Sequence, residues 1–121
     1  MELSGVKAKL LVVDSEPDQL AAMVSLLRSA GYEVLEAVNG NGALDQVREN
    51  HPDLIILDTM LPDKSGLEVS KEIKSGKELQ DTLVILVSNV EISPATRAKW
   101  LEGGVDGCLT RPISKGELLA I

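Results

Sequence analysis

Phenylalanine is absent from this chain of 121 residues, and tyrosine and tryptophan occur once each. A surface that stacks nucleobases needs several aromatic platforms, so such a surface is excluded. Basic residues are in the minority: 19 acids outweigh 12 bases, for a net charge of −7. Neutralising a phosphate backbone takes clustered Lys and Arg, so the charge balance excludes DNA or RNA as a partner of this domain. The single cysteine, Cys108, allows neither an internal disulfide nor a cysteine-rich zinc site and reads as a packed small hydrophobe. The single histidine, His51, precedes Pro52 with no second imidazole in the chain and reads as a surface residue. No stretch approaches the run of about 18 apolar residues that a membrane helix needs. The segment Met1 to Lys9 has no signal-peptide core. These absences lead us to expect a soluble, cytoplasmic, acidic protein with no membrane contact.

What the chain has is aliphatic. Leu, Val, Ile and Ala dominate a hydrophobic content of 44%, which suits a buried parallel sheet flanked by helices. Lys9–Val13, Leu54–Leu57 and Leu83–Val87 are continuous apolar runs that predict buried strands. Glu33–Val38 is a weaker strand candidate, and Gly107–Leu109 is supported only by its place in the rhythm. Helix signals lie between. Pro17 sits at a first helical position, Leu20, Met23, Val24 and Leu27 follow at helical spacing, and Gly31 ends the run. Asn41 caps a predicted second helix carrying Leu44 and Val47 and stopping before Pro52. A third helix runs from Gly66 to Lys74, and Ser93-Pro94 opens a fourth that ends at Gly103-Gly104. Ser114 begins a fifth, cut off after about two turns. Five strand–helix units spaced by roughly 20–30 residues predict an α/β fold, a doubly wound five-stranded parallel sheet with helices on both faces. We expect one domain over residues 1–121, and the truncated last helix suggests a fragment of a longer multidomain protein.

In an open α/β sheet, ligands bind outside the carboxyl ends of the strands. The polar residues there are Asp14, Asp58, Ser88 and Arg111. Two carboxylates, a hydroxyl and a cation at one edge make a site for a phosphoryl group and a divalent metal, and hard oxygen ligands suit Mg2+. Asp53 and Asp106 read instead as solvated strand ends.

Those residues sit in stretches that resemble the receiver domains of two-component response regulators, over nearly the whole chain. The stretches are Leu11-Val12-Val13-Asp14-Ser15-Glu16-Pro17, the segment from Pro52 through Asp58-Thr59-Met60-Leu61-Pro62-Asp63-Lys64-Ser65-Gly66, Val87-Ser88, and Gly104-Val105-Asp106-Gly107-Cys108-Leu109-Thr110-Arg111-Pro112. The resemblance implies a flavodoxin-like fold. It makes Asp58 the nucleophile that takes a phosphoryl group from the phosphohistidine of a histidine kinase or phosphotransfer domain. Mg2+ would be held by Asp14, Asp58 and the Met60 main-chain carbonyl, with Ser15 or Glu16 joining through water. Ser88 would donate to a phosphoryl oxygen, Arg111 would supply the cation, and Pro112 would follow a cis peptide. The domain would act in a phosphorelay rather than as an enzyme in its own right, catalysing at most its own phosphorylation and dephosphorylation. Its closing segment is reminiscent of receivers attached to sensor kinases, and the expected partners include a fused sensor-kinase or output domain.

Five positions depart from the family pattern. Ser15 stands where a second metal-binding acid is usual, which predicts weak Mg2+ binding. Arg111 replaces the usual Lys, not a conservative exchange at a tight phosphate site. Cys108 replaces the aromatic residue that changes rotamer on activation, and Asn89, where a small residue is usual, crowds the phosphoryl pocket. Trp100 lies on the fourth helix where the family is small, and reads as a packing residue. The alternative function is a pseudo-receiver, a protein-interaction module that keeps the fold without phosphorylation. A haloacid-dehalogenase-like phosphatase wants a second Asp where Glu16 stands. A nucleotide or flavin domain wants a glycine-rich loop where the chain reads Asp14-Ser15-Glu16-Pro17.

Overall fold

The computed structural model describes residues 8–77, 79 and 81–119. Five strands alternate with five helices: β1 (Lys9–Val13), α1 (Pro17–Ser29), β2 (Glu33–Ala37), α2 (Gly40–Asn50), β3 (Leu54–Asp58), α3 (Gly66–Ser75), β4 (Leu83–Ser88), α4 (Pro94–Glu102), β5 (Gly107–Thr110) and α5 (Lys115–Leu119). The strands form one sheet in the order β2-β1-β3-β4-β5, and every pair is parallel. This is the doubly wound flavodoxin-like order, in which the winding reverses between β1 and β3.

The period-2 geometry of the strands sorts the aliphatic side chains into two layers. On one face Leu11, Val13, Ile55, Leu57, Val84 and Leu86 meet Ala43, Leu44 and Val47 of α2 and Val69 and Ile73 of α3. On the other, Leu10, Val12, Leu54, Ile56, Ile85 and Val87 meet Leu20, Val24 and Leu27 of α1 and Leu118 of α5. Each run is buried on both sides, so it reads as a continuous apolar block. α4 has no fully buried residue and reaches the core only through the half-buried Trp100.

Helix ends follow local chemistry. Glu16 caps α1 with its side chain, and Ser65 and Ser93 accept the Glu68 and Thr96 N–H groups at 3.1 Å each, capping α3 and α4. α2 corrects the sequence expectation. Its N-cap is Asn39, whose side chain accepts from Gly42 N at 2.7 Å, and Asn41 lies inside the helix. The helix therefore starts two residues closer to β2, which ends at Ala37 and leaves Val38 exposed beyond it. His51 closes α2 as an exposed left-handed residue with φ 46°. Within the described residues α5 runs from Lys115 to Leu119, so its two last expected positions, Ala120 and Ile121, lie outside them.

Candidate functional site

β1, β3, β4 and β5 deliver their last residues to one edge of the sheet. Asp14 follows β1, Asp58 ends β3, Ser88 ends β4, and Arg111 follows β5. The pairing register puts Asp58 beside Val87 and Ser88 beside Thr110. Asp14, Asp58 and Ser88 are buried, at 2%, 5% and 4% exposure. Polar groups so deep in the edge need partners, and each has them.

Arg111 binds the group together. Its Nη2 donates to Asp14 Oδ2 at 2.5 Å, its Nη1 lies 3.6 Å from Asp58 Oδ2, and the same Nη1 donates to Asn89 Oδ1 at 2.9 Å. The Arg111 main-chain N–H donates to Ser88 O at 2.8 Å, and the peptide to Pro112 is cis, as expected. The second oxygen of each acid is engaged by backbone: Asp14 Oδ1 accepts from Glu16 N at 2.8 Å and Asp58 Oδ1 from Met60 N at 3.0 Å. Burial pushes the Asp14 carboxyl above the ordinary range. The Glu16 N–H and the Arg111 charge pull it back, while the neighbouring Asp58 charge adds to the rise.

Gly66 makes room for the acceptor segment. A Cβ built there would lie 2.3 Å from the Asp58 carbonyl oxygen, and its N–H donates to Thr59 O at 2.9 Å. The Ser88 hydroxyl is turned to its own loop, donating to Val90 O at 2.8 Å and accepting from Val90 N at 3.1 Å. Met60 exposes its side chain at 76%, so only its main chain belongs to the edge.

Two buried carboxylates that repel each other are hard oxygen donors of the kind Mg2+ takes. Among the described residues no cluster of three or more His, Cys, Asp or Glu side chains forms. Glu16 Oε1 accepts from Asp18 N at 3.3 Å as the cap of α1, and Glu16 and Ser15 are both exposed.

Two participants were not legible as such. Asn89 is a second anchor of Arg111, its Oδ1 accepting from Nη1 at 2.9 Å. Asp63, in the β3–α3 loop, accepts from Gly40 N at 2.7 Å and Asn41 N at 2.9 Å, tying that loop to α2. The signal for it is a deficit: the first turn of α2 holds no acidic residue, so its N–H groups draw a carboxylate from elsewhere. Asp53 and Asp106 stand at the opposite end of the sheet and accept from Lys9 N and Val84 N at 2.8 Å each. They fix strand starts rather than merely facing water. Cys108 is buried, and burial pushes its thiol upward, as for an inert core residue.

The family model for the response regulator receiver domain matches residues 10–121. Among similar solved structures is the chemotaxis response regulator CheY4 of Vibrio cholerae, 29% identical, with 95% of each chain covered and a TM-score of 0.88. The BeF3-activated DrrB receiver domain is 30% identical, over 95% of this chain and 93% of that one, with a TM-score of 0.82. The receiver domain of a signal transduction histidine kinase from Syntrophus aciditrophicus is 27% identical, over 93% and 85%, with a TM-score of 0.83. By this match and by its strand order, the chain belongs to the response regulator receiver domains of two-component signalling.

Proposed function

We propose that Asp58 is the phosphoacceptor of this domain, receiving its phosphoryl group from the phosphohistidine of a histidine kinase or phosphotransfer domain in the cytoplasm. The observation that carries this reading is the state of its carboxylate. Asp58 Oδ1 is fixed by Met60 N at 3.0 Å, while Oδ2 lies 3.6 Å from Arg111 Nη1, beyond hydrogen-bond length. One oxygen orients the group and the other is left to attack. A carboxylate oxygen attacks with its own lone pair and needs no base. That oxygen forms the new P–O bond as the P–N bond to the imidazole breaks, and the imidazole nitrogen leaves with the electron pair and takes a proton.

Arg111 offers positive charge to the oxygens of the incoming group, and Ser88 offers a hydroxyl once it turns from Val90. Mg2+, held by Asp14, Asp58 and the Met60 carbonyl, would neutralise further charge on the phosphoryl oxygens. Among the described residues no helix is long and apolar enough to cross a membrane. Similar structures include a chemotaxis response regulator and a receiver domain of a histidine kinase, so fusion to a sensor kinase or output domain fits this fold.

The second reading, a pseudo-receiver, draws on the Arg111–Asp14 pair, which engages a carboxylate the phosphoryl chemistry needs for metal. Incubation with acetyl phosphate and Mg2+, read by intact mass, separates the two. The expected result is a gain of one phosphoryl group by the native protein and none by Asp58→Asn. No gain by the native protein assigns the domain to the pseudo-receivers.

A further inference from the structure

We infer that Arg111 is a resident cation of the site, holding the Asp14 carboxylate that a divalent ion would take, so that metal entry displaces Arg111 and releases Asn89. The inference rests on the receiver reading only for the identity of the competing cation. The geometry comes from this chain alone.

Among the described residues, Arg111 is the cation paired with either buried acid, through Nη2 at 2.5 Å from Asp14 Oδ2 and Nη1 at 3.6 Å from Asp58 Oδ2. With Oδ1 taken by Glu16 N, Oδ2 is the Asp14 oxygen through which a metal would bind, and the guanidinium occupies it. Two cations at such range in a nearly buried site repel strongly. The Arg111 side chain is only 13% exposed, so it cannot share the position with an intervening shell of bulk water. A metal ion and this arginine must therefore exchange at Asp14.

The planar fork of the guanidinium gives the exchange a second consequence. A single ammonium is a point donor, whereas Arg presents separate N–H groups in fixed directions. Here Nη2 binds β1's Asp14 and Nη1 binds Asn89, the residue after Ser88. The fork links the metal edge directly to the loop between β4 and α4. Displacing one prong moves the other. By linkage, whatever holds Asn89 and Arg111 together weakens metal binding, and metal weakens that contact.

Mg2+ alone, titrated into the full chain, tests this by calorimetry and by backbone and Arg side-chain NMR. Arg111→Met is expected to bind Mg2+ at least about tenfold more tightly than the native protein, the scale of one charge-assisted bond. Asn89→Ala leaves the charge unchanged and frees one prong, so it is expected to tighten binding about threefold. In the native protein the Asn89 amide and the Arg111 Nε–H resonance should move together along the Mg2+ titration. Equal or weaker binding by Arg111→Met, unchanged binding by Asn89→Ala, or an Arg111 resonance that stays still at saturating Mg2+ would each overturn the inference. So would the failure of both native and variant proteins to bind Mg2+. Asn89 is exposed, so its variant keeps the test decisive if Arg111→Met, which strands two buried acids, fails to fold. None of these readouts involves phosphoryl transfer. A protein that takes no phosphoryl group but shows the exchange loses the proposed function and keeps this inference, and the converse result separates them equally well.

Discussion

Ser88 and Val90 hold each other at two points, with Ser88 Oγ donating to Val90 O at 2.8 Å and accepting from Val90 N at 3.1 Å. The hydroxyl that would meet a phosphoryl oxygen on Asp58 is thus engaged with the loop beyond β4. It cannot serve both with the same proton. Recruiting it to the site frees the backbone of residue 90, and a local event becomes a loop displacement. Ser88→Ala removes the clasp in every state. Val90 is exposed, so water replaces both lost bonds, and the expected loss of stability is small, about 1 kcal/mol. The Val90 amide should exchange faster in hydrogen-exchange NMR. A phosphoryl mimic such as beryllofluoride with Mg2+ should shift amides from residue 88 to residue 98 in the native protein and leave residues 90–98 quiet in Ser88→Ala. Equal spreading in both proteins would show that the loop is moved by another route.

Gly66 and Asp58 are coupled through backbone alone. A methyl group at residue 66 would press on the Asp58 carbonyl oxygen at 2.3 Å and on its carbonyl carbon and Thr59 Cα at 3.0 Å. None of these atoms belongs to a flexible side chain that could swing away. Gly66→Ala must therefore push the end of β3 or the start of α3, at a cost of about 1–3 kcal/mol. The acceptor carboxylate moves with β3. Thermal unfolding should drop, and phosphorylation by acetyl phosphate should slow at temperatures where the variant is fully folded. A variant as stable and as reactive as the native protein would mean that the loop relaxes without moving Asp58.

Asp63 gives stability a defined pH dependence. The Gly40 and Asn41 N–H groups hold its carboxyl below the ordinary value, so the folded state favours the charged form. A lowered carboxyl contributes stability that is fully present above its unfolded value and is lost as pH falls through its folded value. Asn in its place can still accept an N–H but brings no charge to the start of α2. Native protein should therefore melt higher than Asp63→Asn at pH 7, and the gap should close as pH falls below the ordinary carboxylate range. Asp14, raised chiefly by burial, acts with the opposite sign, but it is common to both proteins and cancels in the difference. A gap that persists unchanged in acid would assign the effect to shape rather than charge.

The parts that were legible in the sequence share one cause. Leu54–Leu57 and Leu83–Val87 stand out because a strand covered on both faces must be apolar at every position, and Asp58 and Ser88 stand out because each interrupts such a run. Arg111 was placed by its position just beyond Gly107–Leu109, a strand that only the rhythm of the chain supported. What was not legible depends on approach across the sheet edge. Arg111 reaches Asn89 over 22 residues and Asp63 reaches Gly40 over 23, distances set by how each crossover packs. The cap of α2 shows the local limit. Asn39 and Asn41 are chemically equivalent caps, and the exit of β2 at Ala37 decides between them.

Trp100 supplies the last prediction, because it stands where activation should be visible. With Ser88, Thr59, Val90, Ile92 and Thr96 it lines a cavity of ≈ 360 Å³ beside the site. It also packs on the core layer that contains Cys108. Cys108 is too small to swing into space vacated by Ser88, so the indole is the aromatic group positioned to respond. When Ser88 turns toward a phosphoryl oxygen and lets go of Val90, two walls of the cavity change at once. The indole then meets a different packing and a different access of water. Trp100 is the sole tryptophan, so its emission reports this cavity and nothing else. Beryllofluoride with Mg2+ should shift the emission of the native protein and not that of Ser88→Ala, with Trp100→Phe as the blank. If emission stays constant while amides from residue 88 to residue 98 move, the cavity keeps its shape and the loop must swing outward into solvent. That outcome would remove Trp100 from the route between Asp58 and α4.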